Sequence, residues 1–226
     1  WQHANGQIEY RGAFFKSWEA WRMAQGSDFD DRCGTPSVPI ADPGGVAGFA
    51  GSDCDLERTV SLDEYDPIHG DLVIPVVVHV IQNDDATLGW IDRATIENQI
   101  RILNDDFSGV GVSSTDDTPA SGIRFALAGI DPNGGATMGI TWSQNSTWFN
   151  DQGEYWNTLA WDPSRYLNIY TNTASGNFGY VNEFPAAGFA GEIQDRVVIN
   201  WRVFGEGGDY GPPQDLGRIL THETGH

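Results

Sequence analysis

The sequence predicts an α/β domain, and three observations carry the prediction. Residues 72–81 form a β-branched run that is apolar on both faces, an amphipathic segment follows directly, and a second strand-like segment spans 123–128. A strand, a helix and a strand in that order make a crossover unit, the building block of a sheet with helices packed on it.

The run 72–81 lies between Gly70-Asp71 and Asn83-Asp84-Asp85, and its two apolar faces imply a strand buried on both sides. Pro75 has no N–H to donate, so it belongs near the strand's start. Asp92 can cap a helix in which Ile96, Ile100, Leu103 and Phe107 recur at steps of four, three and four. Residues 139–142, 166–171, 179–184 and 196–201 read as further strands. The third of these, closed by Pro185 and flanked by glycines, reads as an edge strand. A last helix is expected after Pro212-Pro213, with Asp215 as its cap and Leu216, Ile219 and Leu220 as its apolar stripe. Gly217 and Gly225 would each weaken it by about 1 kcal/mol. The N-terminal stretch differs. Phe14, Phe15, Trp18 and Trp21 suit a short amphipathic helix, and 26–51 is Gly-, Pro-, Asp- and Ser-rich extended chain of the kind that lies on a domain.

Composition limits the partners. The 226 residues suffice for one large domain, or one domain with an appendage. Thirty-two acidic residues against twelve basic ones give a net charge of −20, and Lys16 is the only lysine. Such a surface repels phosphate backbones and anionic lipid heads, which argues against nucleic-acid and membrane partners. The best apolar run is half the length a membrane span needs. An Asp-rich, Lys-poor chain suits a secreted protein in a salty or calcium-bearing medium, and equally one that simply stays soluble. The chain starts at Trp1 without an apolar signal core, which implies that any targeting segment is removed or not included.

The chemistry gathers at the end of the sequence. His222-Glu223-Thr224-Gly225-His226 matches H-E-x-x-H. On a helix, residues four apart lie one turn apart on one face, so both imidazoles can reach one Zn²⁺. Glu223, rotated about 100° from His222, can hold a water beside the open metal position. Zinc lowers the pKa of that water to about 7. Glu223 then acts as general base toward a peptide carbonyl and passes the proton to the leaving amine. By composition, on the order of one random chain in a hundred of this length carries such a pentapeptide, so its context matters: an apolar helix leads in and an α/β sheet precedes it.

In that context the chain resembles the pappalysin branch of the metzincin metalloproteases, in particular ulilysin- and cytophagalysin-like members. The resemblance covers 74–226. It rests on the Ile74-Pro75-Val76-Val77-Val78-His79-Val80-Ile81 strand, the helix around Asn104-Asp105-Asp106-Phe107, Pro132-Asn133-Gly134, Trp161-Asp162, Phe178-Gly179-Tyr180 and Leu216-Gly217-Arg218, in that order before His222. It implies the upper subdomain of a zincin: a twisted, mixed, mostly parallel sheet with a backing helix and an active-site helix. It also implies a propeptide-like segment over 1–60 that inhibits its own catalytic domain, with 61–226 as the N-terminal part of that domain. The family motif continues to a third zinc ligand, which would fall at position 232. On this reading the 226 residues are part of a longer secreted zymogen and would be inactive alone. Thr224 stands where relatives carry an aliphatic residue.

The same resemblance marks Gly179, Tyr180 and Val181 as an edge strand that pairs with extended protein or peptide substrate. Arg32-Cys33-Gly34-Thr35-Pro36 resembles a cysteine switch, in which the Cys33 thiolate occupies the zinc in the latent form. The alternative is a Cys33–Cys54 disulfide closing a loop of roughly twenty residues, worth about 3 kcal/mol. His79, mid-strand among valines, reads as a core or metal-supporting histidine. Asp84-Asp85, Asp105-Asp106 and Asp116-Asp117 are pairs that could hold Ca²⁺, although solvated turns explain them as well. Two competing readings stay open at this point. One is a non-catalytic secreted α/β module that binds a protein or glycan through exposed tryptophans and acidic loops. The other is a zincin outside the metzincins, with a downstream glutamate as ligand.

Overall fold

The computed structural model describes residues 72–109, 121–182 and 191–226, together with the backbone of two short strands, β1 (Ile8–Tyr10) and β2 (Ala13–Phe15). These two pair antiparallel, Ile8 with Phe15 and Tyr10 with Ala13. The helix expected around Phe14 and Phe15 is therefore a strand there. A local strand partner wins there over a weak helical period. Residues 16–71, with Cys33, Cys54 and the segment expected to be extended, lie outside the described residues.

The domain is built on β3 (Leu72–Gln82). It is followed by α1 (Arg93–Phe107), β4 (Ile123–Leu127), β5 (Ile140–Gln144), α2 (Ser146–Phe149), α3 (Trp156–Leu159), β6 (Leu167–Asn172), β7 (Gly179–Val181), β8 (Val197–Asn200) and α4 (Arg218–Thr224). The sheet order is β4-β3-β6-β8-β7, with β5 also on β3. All pairings in it are parallel except β7 on β8. The expected mixed, mostly parallel sheet is thus present, with α1 crossing between the parallel neighbours β3 and β4.

Both faces of β3 are covered, which explains its unbroken apolar run. Val76, Val78 and Val80 face one core together with Ile96, Ile100 and Leu103 of α1 and Ile219 and Leu220 of α4. Val77, His79 and Ile81 face the other side, toward Tyr155, Tyr166 and Tyr170. Pro75 sits where a missing donor costs nothing. Val76 O accepts from Ala128 N and Val78 N donates to Gly139 O, so even-numbered residues turn their backbone toward β4 and β5. Pro75 faces β6, whose pairing with β3 begins only at Val76 and Leu167.

Asp92 caps α1 as expected, its side chain accepting from Thr95 N at 2.7 Å. Asn104 ties the helix to the sheet: its Nδ2 donates to Phe125 O and its Oδ1 accepts from Phe125 N, each at 2.8 Å. Two details at the sequence's end differ from expectation. Helix α4 is capped by Gly217 in the left-handed region (φ 70°), not by Asp215, and Leu216 lies outside the helix, exposed. A Cβ on Gly217 would meet Ile102 Cδ1 at 2.6 Å. The glycine therefore starts the helix and lets it approach α1 instead of weakening its interior. Trp201, expected at the end of a strand, opens a 3₁₀ turn in which the Asn200 side chain accepts from Arg202 N at 3.1 Å.

Candidate metal centre

Helix α4 is short, and its position is set by α1. Gln99, fully buried, donates from Nε2 to Gly217 O and accepts at Oε1 from Gly205 N, both at 2.7 Å. It thereby fixes the loops on either side of the approach to α4. One turn and more along α1, Asp106 accepts from Thr221 Oγ1 at 2.6 Å and pairs with Arg218 at 3.2 Å. Together these contacts hold the first half of α4 against α1.

The helix ends at Thr224, but Gly225 keeps right-handed helical angles and His226 N still reaches Glu223 O at 3.4 Å. The i to i+4 relation of the two histidines therefore survives, and their Nε2 atoms converge at 3.1 Å. Two nitrogens about 2.05 Å from a tetrahedral zinc lie about 3.3 Å apart, so this spacing fits the metal. Glu223 is buried, with Oε2 4.0 Å from His226 Nε2. Among the described residues, His222, Glu223 and His226 form the one group of potential ligands, with donor atoms all within 4.8 Å of one another. Partial burial lowers the pKa of His226 from its ordinary value, favouring the neutral imidazole that a metal requires.

Strand β7 runs beside this group. A Cβ on Gly179 would lie 2.7 Å from Glu223 Cγ and 3.0 Å from its Oε1, so the glutamate packs directly on the glycine. Asn200 N donates to Phe178 O, and Tyr180 pairs with Val198. In the alternating antiparallel pattern, Gly179 and Val181 then direct their backbone groups away from β8, toward the side of the sheet where β7 is the last strand. The structure thus brings His222, Glu223, His226 and the Gly179–Val181 strand together. Residues 183–190, including the end of the expected strand, lie outside the described residues, as does Cys33.

The remaining candidates settle elsewhere. His79 is buried on the sheet face opposite α4 and is a core residue. Its Nδ1 is 2.8 Å from Thr141 Oγ1 and its Nε2 is 3.1 Å from Asn168 Oδ1. Asn168 Oδ1 also accepts from Trp161 N, so the ring's Nε2 is the donor and Nδ1 accepts from Thr141. Burial pushes its pKa down to about 4. Asp84 and Asp85 accept from turn groups (Ser146 N, Thr87 N and Thr87 Oγ1), and Asp105 pairs with Arg101. Asp116-Asp117 lies outside the described residues. Among the described tryptophans only Trp90, at 57%, is largely exposed.

The sequence assigns no role to Gln99 or to an acceptor behind β7, Asp151, and it offers Asp106 only as half of a possible Ca²⁺ pair, whereas its partners are Thr221 and Arg218. Gln99 had a signal: it interrupts the apolar stripe of Ile96, Ile100 and Leu103 at a core position. Asp106 and Asp151 had none, because their partners are remote in sequence.

The site is thus a mostly parallel sheet whose strand β7 runs past a helix bearing paired histidines and a buried glutamate. The proteins that this chain is similar to are metalloproteases. It is similar to mature mirolysin of Tannerella forsythia in complex with a cleaved peptide, at 36% identity over 70% of this chain and 63% of that one, with a TM-score of 0.60. It is likewise similar to a promirolysin mutant from the same organism, at 35% identity over 70% of this chain and 55% of that one, with a TM-score of 0.59. An extracellular metalloprotease of Pyricularia oryzae is 27% identical over 207 residues, which is 88% of this chain and 63% of the relative. No family model matches the chain. The chain thus spans less than two thirds of the length of these relatives.

Proposed function

We propose that this chain carries the metal-binding helix, the general base and the substrate-docking strand of a secreted zinc endopeptidase made as a latent zymogen. The convergence of two Nε2 atoms at 3.1 Å beside a buried Glu223 that packs on Gly179 of β7 carries this reading. His222 and His226 would hold the zinc. A catalytic zinc takes three protein ligands, and the family pattern puts the next at position 232.

When bound, zinc supplies Lewis-acid polarisation and lowers the pKa of water to about 7. The chain's own residues do the rest. Strand β7 pairs with an extended peptide through the backbone of Gly179 and Val181, which reads a peptide without reading its side chains. Glu223, packed on Gly179, sits where it can take a proton from the attacking water on a carboxylate oxygen and return it to the leaving amine nitrogen. Its burial excludes competing solvent from that proton's path. The extracellular metalloprotease among the relatives supports secretion, and the promirolysin relative supports latency. In the latent form the 1–60 segment would inhibit the site, with Cys33 as the ligand that closes it.

The test uses the full-length gene product. Glu223→Ala should keep stoichiometric zinc and lose casein hydrolysis by about 10² to 10⁴. Undiminished hydrolysis, or a wild-type protein without zinc, would overturn the reading. For latency, Cys33→Ala should make the zymogen prematurely active, while unchanged latency would remove Cys33 from the scheme.

A further inference from the structure

Among the described residues, strand β7 is three residues long and its one strand partner is β8, so contacts outside that short ladder matter for its place beside Glu223. The structure assigns that role to Asp151, a positioning residue on the opposite face of the sheet that sets the docking strand through the Tyr180 hydroxyl. This inference rests on the reading of β7 as the substrate edge.

The geometry is specific. Along β7, Gly179 and Val181 face the α4 side, and Tyr180 points to the reverse face. There the Tyr180 hydroxyl donates to the Asp151 carboxylate, 3.0 Å from each oxygen. Burial, the larger cause, and the neighbouring Asp151 charge push the Tyr180 phenol up to about 12, so it remains a donor at working pH. The same carboxylate accepts from Tyr155 Oη at 2.8 Å, Asn172 Nδ2 at 3.0 Å and Ser175 Oγ at 2.7 Å. Asn172 ends β6, and Ser175 lies in the turn that leads from β6 into β7. One carboxylate therefore gathers the strand before the docking strand, the connector, and the docking strand itself.

The backbone shows that this gathering is enforced. Asp151 (φ 59°), Ala174 (φ 46°) and Ser175 (φ 51°) all hold positive φ without being glycine. Such a backbone is disfavoured for a residue with a Cβ and persists only where the surroundings over-determine it. Two of the three sit in the β6–β7 connector, and the third supplies the carboxylate that holds it. A relaxed connector would let β7 slide or tilt against β8, and Gly179 would leave Glu223.

The experiment compares Asp151→Ala, Asp151→Asn and Tyr180→Phe in the full-length enzyme. It uses a long peptide that spans β7 and measures kcat and KM separately, with amide exchange at 179–181. Asparagine tolerates the left-handed backbone, so it changes the acceptor while sparing the turn. The expected result is a KM raised about tenfold for both Asp151 variants and a few-fold for Tyr180→Phe, with kcat within about twofold. Faster exchange at Gly179 and Val181 should accompany it. Unchanged KM and exchange in Tyr180→Phe and Asp151→Asn would overturn the inference, as would a loss confined to kcat. If Asp151→Ala fails to fold, the other two variants decide. A wild-type enzyme without zinc-dependent peptidase activity would instead sink the proposed function, and the exchange measurement would still report on Asp151.

Discussion

Protonation of His79 is the sharpest handle on the stability of this fold. The ring is buried, its two nitrogens are committed to Thr141 and Asn168, and its pKa falls from 6.5 to about 4 because burial penalises the charged form. The unfolded chain therefore binds a proton that the folded chain refuses between pH 6.5 and about 4. Stability is complete above that window and falls as pH drops through it. With those two pKa values, the loss between pH 7 and pH 5 is about 1.8 kcal/mol from this residue alone. Carboxylates and any bound metal also respond to pH, so the measurement is a difference. Urea unfolding of wild type and His79→Gln is followed at both pH values. The variant is less stable at pH 7 because it loses packing against Tyr170, but its loss on acidification should be smaller than wild type's by about 1.8 kcal/mol. Parallel pH dependences would refute the argument, showing that the ring is either charged in the folded state or hydrated there.

Two further perturbations act nearer the candidate site. Gly179→Ala places a methyl 2.7 Å from Glu223 Cγ, about 1 Å inside a normal carbon contact. It should cost about 1–3 kcal/mol of stability and, by displacing the carboxylate, about 10² in kcat/KM on a peptide. A native-like kcat/KM would show that Glu223 does not depend on that contact. Gln99→Leu keeps the apolar volume but orphans Gly205 N and Gly217 O. Thermal unfolding should register a loss of about 2–4 kcal/mol, and an unchanged Tm would mean that water enters to replace the side chain.

Local patterns in the sequence carried the fold well where the pattern and the packing coincide. The run 72–81 is apolar on both faces because β3 is central and covered twice, and Asp92 with the Ile96–Ile100–Leu103 spacing defines α1 without help from elsewhere. The start of α4 was misread for a physical reason. Gly217 looks like a weak point in a helix, yet it precedes the helix and supplies a left-handed turn against Ile102 that no side chain could make. The spacing of Phe14 and Phe15 suggests a helix, whereas a partner strand a few residues upstream decides their state. At the candidate site, the convergence of His222, Glu223 and His226 is legible because helical spacing alone produces it. Their support is not. Gln99, Asp106 and Asp151 act through partners tens of residues away, and only the stray polar residue in an apolar stripe hinted at the first.

Metal content per chain in the purified full-length protein tests the central claim most directly, compared across wild type, His222→Ala and Glu223→Ala. One zinc in wild type and in Glu223→Ala, with loss in His222→Ala, is the expected outcome of the proposal that the imidazoles hold the ion and the carboxylate works beside it. Zinc retained without His222, or absent from wild type, would contradict it.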